Sequence, residues 1–303
     1  MSLAVPAGST PTTPASPATR PAHARVSLIQ AILVIWHRDV LRFSRDRTRL
    51  LVSLAQPLLY LLVFGVGLSA SLGGGLDLPP GVTYLQYMYP GVLGMAVLFT
   101  AMFSAMSVVW DREFGFLREI LVAPIKRSAV AVGKALGGAT QAMVQGVLLL
   151  VFAPVVGVKL SLVGVLELVP LLFVLAFALT SLGVALASRI RSMQAFQTVM
   201  TFLVMPMFFL SGALFPLNNL PGWMTVLTRF DPVAYGMAPI REAVLDGAGV
   251  PPAVLDRFTG ITIGSYTMPA TLDVAVLLAF GQCSSALRCG CCAGEGDQDS
   301  PAW

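Results

Sequence analysis

Long apolar runs separated by short polar segments dominate the chain. A helix needs about 20 residues to cross roughly 30 Å of hydrocarbon at 1.5 Å per residue. Five runs reach that length: 50–70, 91–110, 135–157, 163–187 and 195–215. Pro57 lies inside the first run and predicts a kink there. The pattern therefore predicts an all-α integral membrane protein built as a transmembrane helix bundle.

A sixth apolar run, 274–281, follows Asp273 and has only eight residues. Such a helix would be about 12 Å long, which is too short to cross a bilayer. We therefore expect six spans, or five and a truncated sixth, with 26–281 forming the membrane domain and 282–303 an atypical Cys-rich tail.

Three interpretations of this tail stay open. A frame change in the gene has replaced the end of the last span, or the span is a natural variant that is tilted or shortened, or the cysteines bind zinc. Cys289, Cys291 and Cys292 stand too close together for the usual pairs of a structural zinc site. We expect no metal.

The start of the chain divides into a tail and an amphipathic helix. Residues 1–25 are rich in Pro, Ala, Thr and Ser, without the apolar core of a cleavable signal, which predicts a disordered cytosolic tail. Over 26–49 a helical pattern places apolar residues on one arc and cations on the other, which favours a helix in the membrane interface over a half-buried soluble helix. The apolar arc holds Ile29, Ile32, Leu33, Trp36, Val40 and Phe43, and the cations facing anionic headgroups are Arg38, Arg42 and Arg45.

Charge is concentrated between the second and third runs, in the segment 111–127. As a helix over 111–122 it would place Phe114, Leu117 and Leu121 on one face, with Pro124 ending the helix. Such a helix suits docking into a groove of another protein, and an ordinary solvated loop is the alternative. The charged residues are Asp111, Arg112, Glu113, Arg118, Glu119, Lys126 and Arg127.

Two polar segments are expected on the side of the membrane opposite to the 111–127 segment. Tyr84, Tyr87 and Tyr89 follow a Gly- and Pro-rich loop and suit the membrane interface. Residues 217–265 are too polar to cross and too apolar for a plain loop, so we expect short half-inserted helices.

Charge asymmetry sets the orientation. With the amino terminus, 111–134, 189–191 and the tail on one side, that side holds fifteen of the nineteen Lys and Arg residues. The positive-inside rule then places the amino terminus and the charged segment in the cytosol.

The sequence offers no chemistry that would drive transport by itself. Glu167 is the one acidic residue inside a span, near its outer end, so an ion pathway is disfavoured against an interface carboxylate. Gly133 and Lys134 do not form a phosphate loop, since Ala135 stands where Ser or Thr is needed. Both histidines precede the first run, which disfavours histidine-dependent catalysis. Scattered polar residues more often join helices than perform chemistry: Ser104, Gln141, Gln145, Thr180, Ser181 and Gln197. We expect no catalytic residue, no bound cofactor and no nucleic-acid partner.

Two motifs resemble the membrane subunits of type-2 ATP-binding-cassette exporters, in the drug and lipid branch typified by daunorubicin-resistance permeases. The resemblance covers about 26–280. The first motif extends from the second span into the third through Asp111, Glu113, Gly115, Leu117, Leu121, Pro124, Arg127 and Lys134. The second follows the fifth span through Phe215, Pro216, Leu220, Pro221, Trp223, Asp231, Pro232, Tyr235 and Arg241.

The resemblance implies a multi-pass subunit of the bacterial cytoplasmic membrane with cytosolic termini. It implies a second permease subunit, identical or not, and separate ATPase subunits that hold ATP and magnesium. The coupling residues would be Asp111, Glu113, Phe114, Gly115, Leu117, Glu119, Leu121, Pro124 and Arg127, and the outer gate would use Pro216, Pro221, Trp223, Asp231, Pro232 and Tyr235. Expected substrates are hydrophobic drugs, lipids or glycolipids. A polysaccharide exporter is the alternative, followed by an ATP-independent membrane protein.

Overall fold

The fold is a bundle of helices with one short strand pair. The computed structural model describes residues 27–67, 83–115, 127–158, 160, 162–190, 192–213, 221–246, 262–263, 266–267 and 270–293, of which 49, 66, 127, 246, 262–263, 266–267, 270 and 285–293 are described by their backbone alone. The first helices are α1 (Leu28–Arg45), α2 (Arg47–Tyr60), α3 (Tyr84–Ser104), α4 (Met106–Glu113) and α5 (Arg127–Val151). They are followed by α6 (Leu162–Arg189), α7 (Met193–Leu210), α8 (Gly222–Phe230), α9 (Pro232–Asp246) and α10 (Ala270–Ala293). A π-helix, Leu61–Val66, extends α2, a 3₁₀ turn, Ala153–Val156, follows α5, and the antiparallel strands are β1 (Thr262–Ile263) and β2 (Tyr266–Thr267).

The helices confirm an all-α membrane protein. Four described segments are long and apolar enough to cross a membrane: Tyr84–Glu113, Ser128–Val151, Leu162–Arg189 and Met193–Leu210. They correspond to the second to fifth predicted spans. A fifth arises if Leu28–Arg45 and Leu50–Gly65, which meet at 71°, count as one bent span.

Helix α3 lies at the centre of the bundle, against α5, α6 and α9. Its largest buried side chains include Tyr87, Tyr89, Leu93, Leu98 and Met102. Helix α10 packs on α6 and α9, and α1 lies along α5.

The second span begins earlier than predicted. Thr83 and Gln86 form a capping box, in which the Gln86 amide nitrogen donates to the Thr83 hydroxyl and the Gln86 side chain accepts from the Thr83 amide. The cap starts the helix at Tyr84. Tyr87 and Tyr89 are consequently buried in the bundle instead of lying in an interfacial loop.

Pro57 is accommodated inside α2, and the irregular backbone comes one turn later as the π-helix. A proline at 57 cannot donate to the carbonyl of Ser53. The Gln145 side chain of α5 donates to that carbonyl instead, at 2.6 Å. The first and third spans are thereby joined at the proline.

The predicted helix over 111–122 is not continuous. Helix α4 ends at Glu113, and Gly115 has a φ of 76°, a left-handed conformation that ends helices. Asp111 and Glu113 therefore belong to the end of the second span. Residues 116–126 lie outside the described residues.

The last helix is longer than its apolar run. Helix α10 has 24 residues and passes through the start of the Cys-rich segment, while its apolar part is Thr271–Ser284. Within the predicted segment 217–265, the structure describes two short helices, α8 and α9. The predicted tail, 1–25, lies outside the described residues.

Candidate functional site

Four charged side chains meet where α1, α4 and α5 converge. The Lys134 ammonium lies 3.0 Å from Asp39 Oδ2 and 2.6 Å from Asp111 Oδ2, and the Arg38 guanidinium lies 3.1 Å from Asp39 Oδ1 and 2.9 Å from Asp111 Oδ2. Lys134 also donates to the Ser107 hydroxyl at 3.3 Å. We call Arg38, Asp39, Asp111 and Lys134 the ion cluster.

The ion cluster is shielded from solvent and its charges balance. The side chains of Asp39, Asp111 and Lys134 are 6%, 7% and 3% exposed, whereas that of Arg38 is 33% exposed. Two cations and two anions leave no net charge. Such a network is held tightly, since removing one member leaves a buried charge uncompensated.

Glycines of α5 allow α1 to come close enough for these contacts. A Cβ at Gly133 would lie 2.9 Å from Ile35 Cβ and 3.1 Å from the Ile32 carbonyl oxygen. A Cβ at Gly137 would lie 3.0 Å from Asp39 Cβ. This one-turn spacing places both glycines on the face of α5 that meets α1.

The end of α4 is held by two further arginines. The Arg42 guanidinium lies 5.1 Å from the Trp110 ring centroid, a cation–π contact. Arg112 donates to the carbonyls of Ile190 and Ser188 at 3.1 and 3.0 Å. This end of the second span is therefore tied to α1, α5 and the end of α6.

The residues predicted for coupling divide into three groups. Asp111 is buried in the ion cluster. Glu113, Phe114 and Gly115 follow at the end of α4, where Glu113 is exposed and the Phe114 ring is 77% exposed. Leu117, Glu119, Leu121 and Pro124 lie outside the described residues, and so does the side chain of Arg127, the first residue of α5.

Helix α1, which was predicted to lie in the membrane interface, buries a different face from the one expected. Trp36 donates to the Thr140 hydroxyl at 3.0 Å, and Arg45 is exposed. Arg38, predicted to face headgroups, binds the carboxylates of the ion cluster instead. The buried face is Ala31, Ile35, Asp39 and Phe43, while Ile29 and Leu33 of the predicted apolar arc are exposed.

The predicted outer-gate residues surround the junction of α8 and α9. Asp231 accepts from the Val233 amide at 3.0 Å, as an N-cap does, and Pro232 is the first residue of α9. The Tyr235 hydroxyl donates to the Arg229 carbonyl at 2.9 Å. Pro221 and Trp223 are exposed at the start of α8, and Pro216 lies outside the described residues.

Asp231 lies outside the spans, and its carboxyl group is nearly inaccessible to water. Burial raises the pKa of Asp231 from 3.8 to about 7, and the hydrogen bond from the Val233 amide opposes part of that rise.

A cavity of about 380 Å³ lies between α1, α2, α3 and α5. Its walls are mostly apolar and aromatic, and one end is polar. There Thr100 donates to Gln145 Oε1 at 2.6 Å, and Gln145 bonds the Ser53 carbonyl. The apolar lining includes Phe43, Pro57, Met95, Ala96, Phe99 and Phe103.

Sequence reasoning missed Asp39 and this cavity. Asp39 stands next to Arg38 on a helix with several arginines, which is typical of a surface charge. In the sequence, Asp39 follows Ala31 and Ile35 at intervals of four residues, which places all three on one face of a helix. This spacing indicates that Asp39 is buried only if that face is already known to be the buried one. Within the described residues, no three His, Cys, Asp or Glu side chains are placed to hold a metal ion.

The comparisons with known proteins agree on one family. A model described as ABC-2 type transporter matches residues 30–245. The chain is 28% identical over 215 residues to a putative transport permease ycf38 of Cyanophora paradoxa, with 70% of this chain and 73% of that protein covered. It is 27% identical over 248 residues to nodulation protein J of Rhizobium leguminosarum bv. viciae, covering 81% and 93%. It is 28% identical over 232 residues to the inner membrane transport permease YadH of Escherichia coli K12, covering 73% and 85%.

Proposed function

Because the chain belongs to the ABC-2 type transporter family, we propose that it is the membrane-spanning subunit of an ATP-driven exporter. A separate nucleotide-binding subunit hydrolyses ATP with magnesium, and this chain converts that subunit's closure into movement of the spans. The chain performs no catalysis of its own. The proposed location is the bacterial cytoplasmic membrane, with the amino terminus in the cytosol.

The observation that carries this proposal is the attachment of the end of α4 to three other helices. Asp111 enters the ion cluster, and Arg112 bonds the carbonyls at the end of α6. Both residues belong to the 111–127 segment that is predicted to meet the ATPase. A push on that segment would therefore reach α1, α5 and α6 together.

The surroundings of Lys134 support an ATPase site on another subunit. A phosphate-loop lysine lies at the junction of a Gly-rich loop and a helix, with its ammonium free to meet phosphate oxygens. Lys134 lies inside α5, seven residues after its start, and its ammonium contacts Asp39 and Asp111.

The cavity supports a hydrophobic substrate. Its volume of about 380 Å³ is within the range of small-molecule sites, and aromatic walls with a few polar groups suit an apolar molecule that carries a hydrogen-bonding group. We propose that a hydrophobic drug, a lipid or the lipid part of a glycolipid occupies it. A polysaccharide chain would need many more polar partners.

Helix α7 supports pairing with a second permease subunit. It is the least buried of the four long spans. Its exposed residues mix large apolar side chains with glutamine amides, which suit lipid poorly: Gln194, Gln197, Phe202, Met205 and Phe209. We propose that this face meets an identical subunit, with a related subunit as the alternative, and that lipids cover the exposed apolar face of α1.

Co-purification tests the proposal. The tagged chain is expressed with the ATPase subunits encoded beside its gene and is isolated in mild detergent. We expect an ATPase to co-purify with the unaltered chain, to bind ATP and to hydrolyse it, whereas the purified chain alone hydrolyses none. The double variant Glu113→Ala, Leu117→Ala should lose the ATPase while remaining inserted in the membrane.

A matched control is Glu167→Ala, which removes an exposed carboxylate near the predicted outer end of α6. This variant should retain the ATPase. If the double variant retains as much ATPase as the control does, a docking role for the 111–122 segment is refuted. Absence of any ATPase from the folded, inserted chain would refute the exporter itself.

A further inference from the structure

The turn that ends the fifth span is buried and tightly bent. Ser211, Gly212 and Ala213 follow α7, and Gly212 has a φ of 73°. The Ser211 hydroxyl donates to the Phe208 carbonyl at 2.7 Å and accepts from the Ala213 amide at 3.3 Å. The carbonyls of Gly212 and Ala213 do not take part in these bonds.

Arg241, from the middle of α9, binds both carbonyls. Its Nη2 donates to the Gly212 carbonyl and, at 3.3 Å, to the Ala213 carbonyl. Its guanidinium carbon lies 4.8 Å from the centroid of the Tyr87 ring in α3. Arg241 is 4% exposed, so these contacts are made away from bulk water.

Each contact is favourable for a physical reason. Carbonyls at the carboxyl end of a helix carry a partial negative charge, which a cation stabilises. A guanidinium over a tyrosine ring gains a cation–π attraction that grows as water is excluded. One side chain thus joins the outer end of the fifth span to α9 and to the second span.

The turn also fits against α3 without space to spare. A Cβ at Gly91 would lie 1.9 Å from the Ala213 carbonyl oxygen, so only glycine allows this approach. One turn further along α3, a Cβ at Gly94 would lie 2.0 Å from Met237 Sδ of α9. The turn, α3 and α9 are therefore in direct contact around Arg241.

We propose that Arg241 is a positioning residue of the outer gate, holding the 211–213 turn against the second span so that the outer end of α7 stays closed. When these contacts open, α7 separates from α3 at its outer end. The inference deepens the proposed function and rests on it for the orientation. The contacts themselves do not depend on an ATPase or a substrate.

Cysteine accessibility tests the proposal with the full chain. The four native cysteines are replaced by serine, and Ser211→Cys is introduced as a reporter in the turn. A second reporter, Ala139→Cys, lies in α5 at a position that is 0% exposed. Each is treated with a membrane-impermeant maleimide in right-side-out and inside-out vesicles, with Arg241 intact, R241Q or R241K.

With Arg241 intact, both reporters should be protected. R241Q removes the guanidinium that binds the two carbonyls and its positive charge. Position 211 should therefore be labelled at least about tenfold faster from the outer face, while position 139 stays protected. R241K keeps a cation that can donate to the carbonyls but lacks the planar guanidinium that lies over the Tyr87 ring, so its rate should lie between the two. R229Q, on the neighbouring helix α8, is the control and should leave position 211 protected.

Unchanged labelling of position 211 in R241Q, or an equal increase in R229Q, would overturn the proposal. If R241Q also exposes position 139, the R241K variant decides between the two explanations. Faster labelling of position 211 alone in R241K supports the proposal. Exposure of both positions in R241K overturns it, since Arg241 would then hold the whole fold together. Faster labelling of 211 only in inside-out vesicles would support the clamp and overturn the proposed orientation.

Discussion

Lys134 contacts both carboxylates of the ion cluster, and its side chain is 3% exposed. Lys134→Met keeps the apolar stem and leaves Asp39 and Asp111 with Arg38 as their remaining cation. Breaking a buried pair in this way costs about 3–5 kcal/mol. We expect the free energy of unfolding to fall by that amount, measured by denaturant titration in mixed micelles.

Arg45→Gln is the control for Lys134→Met, because Arg45 is an exposed cation on the same α1 helix as Asp39. Its effect should stay within about 0.5 kcal/mol. Adding Asp39→Asn to Lys134→Met should restore part of the lost stability, since one uncompensated charge is removed. A Lys134→Met protein as stable as the control would show that the cluster does not hold the helices together.

Asp231 predicts a pH dependence of stability. Burial raises its pKa from 3.8 to about 7, so the folded protein holds this proton more tightly than the unfolded chain does. The resulting stabilisation is complete below about pH 4 and is lost as the pH rises to about 7. Asp231→Asn keeps an N-cap acceptor for the Val233 amide and carries no charge.

The unaltered chain should therefore lose thermal stability between pH 5 and pH 8 by more than Asp231→Asn does, and the variant should have the higher unfolding temperature at pH 8. Melting curves in detergent at both pH values measure this, with Glu167→Gln as the charge-matched control. Identical slopes for the unaltered chain and Asp231→Asn would contradict it.

Single residues were predictable from sequence where a local rule applied. The Asp231–Pro232 pair indicates a helix start, and Asp111 stands out as a charge at the end of an apolar run. Asp39 was not predictable, because its burial depends on Gly133 and Gly137, nearly a hundred positions away. The surroundings of the Arg38 side chain were predicted wrongly for the same reason, since its partner Asp111 belongs to another helix.

At the scale of the helices, the proline in α2 and the glutamine in α5 depend on each other. Pro57 leaves the Ser53 carbonyl without its helical donor, and Gln145 supplies one at 2.6 Å. Gln145→Leu should cost about 1–3 kcal/mol, because that carbonyl then has no donor. In a Pro57→Ala background the backbone amide at position 57 can donate instead, so Gln145→Leu should cost less.

A double-mutant cycle on the free energy of unfolding measures this coupling. Thr100→Val serves as the control, since it removes the hydroxyl that donates to Gln145 Oε1 without affecting the Ser53 carbonyl. Its cost should be the same with Pro57 intact and in the Pro57→Ala background. If the cost of Gln145→Leu is also the same in both backgrounds, Gln145 does not compensate for the proline.

The apolar runs predict which segments form helices, whereas short polar motifs determine where each helix begins and ends. Thr83 and Gln86 form a capping box that the pattern of apolar residues alone does not reveal, so the start of α3 was placed seven residues late. Gly115 ends α4 within a segment that the spacing of Phe114, Leu117 and Leu121 predicts as one helix. Periodicity locates the body of a helix, and caps decide its bounds.

For the whole molecule, the sequence predicts which segments are helices and which side the cations share, but not which helices are neighbours. The central position of α3 and the approach of α1 to α5 come from packing between distant residues such as Gly91 with Ala213. Membership in a transporter family was recognisable from two motifs, yet the ion cluster and the cavity each combine three or more helices.

The exposed face of α7 leads to a prediction about assembly. Phe202 is 81% exposed, and Thr198 and Met205, four residues before it and three residues after it, are exposed on the same face. Within the described chain no helix covers this face of α7, so its large side chains would be buried only against another subunit or lipid. Two copies joined through α7 would bury it by two-fold symmetry, which brings equivalent residues near the axis together.

Phe202→Cys, with the four native cysteines replaced by serine, should therefore form a disulfide-linked dimer when membranes are mildly oxidised. Val163→Cys is the matched control, since Val163 is 67% exposed on α6, a different helix. Electrophoresis without reductant should show the dimer for Phe202→Cys alone. Cross-linking at 163 with none at 202 would place the second subunit against a different face and remove the support that α7 gives to a symmetric pair.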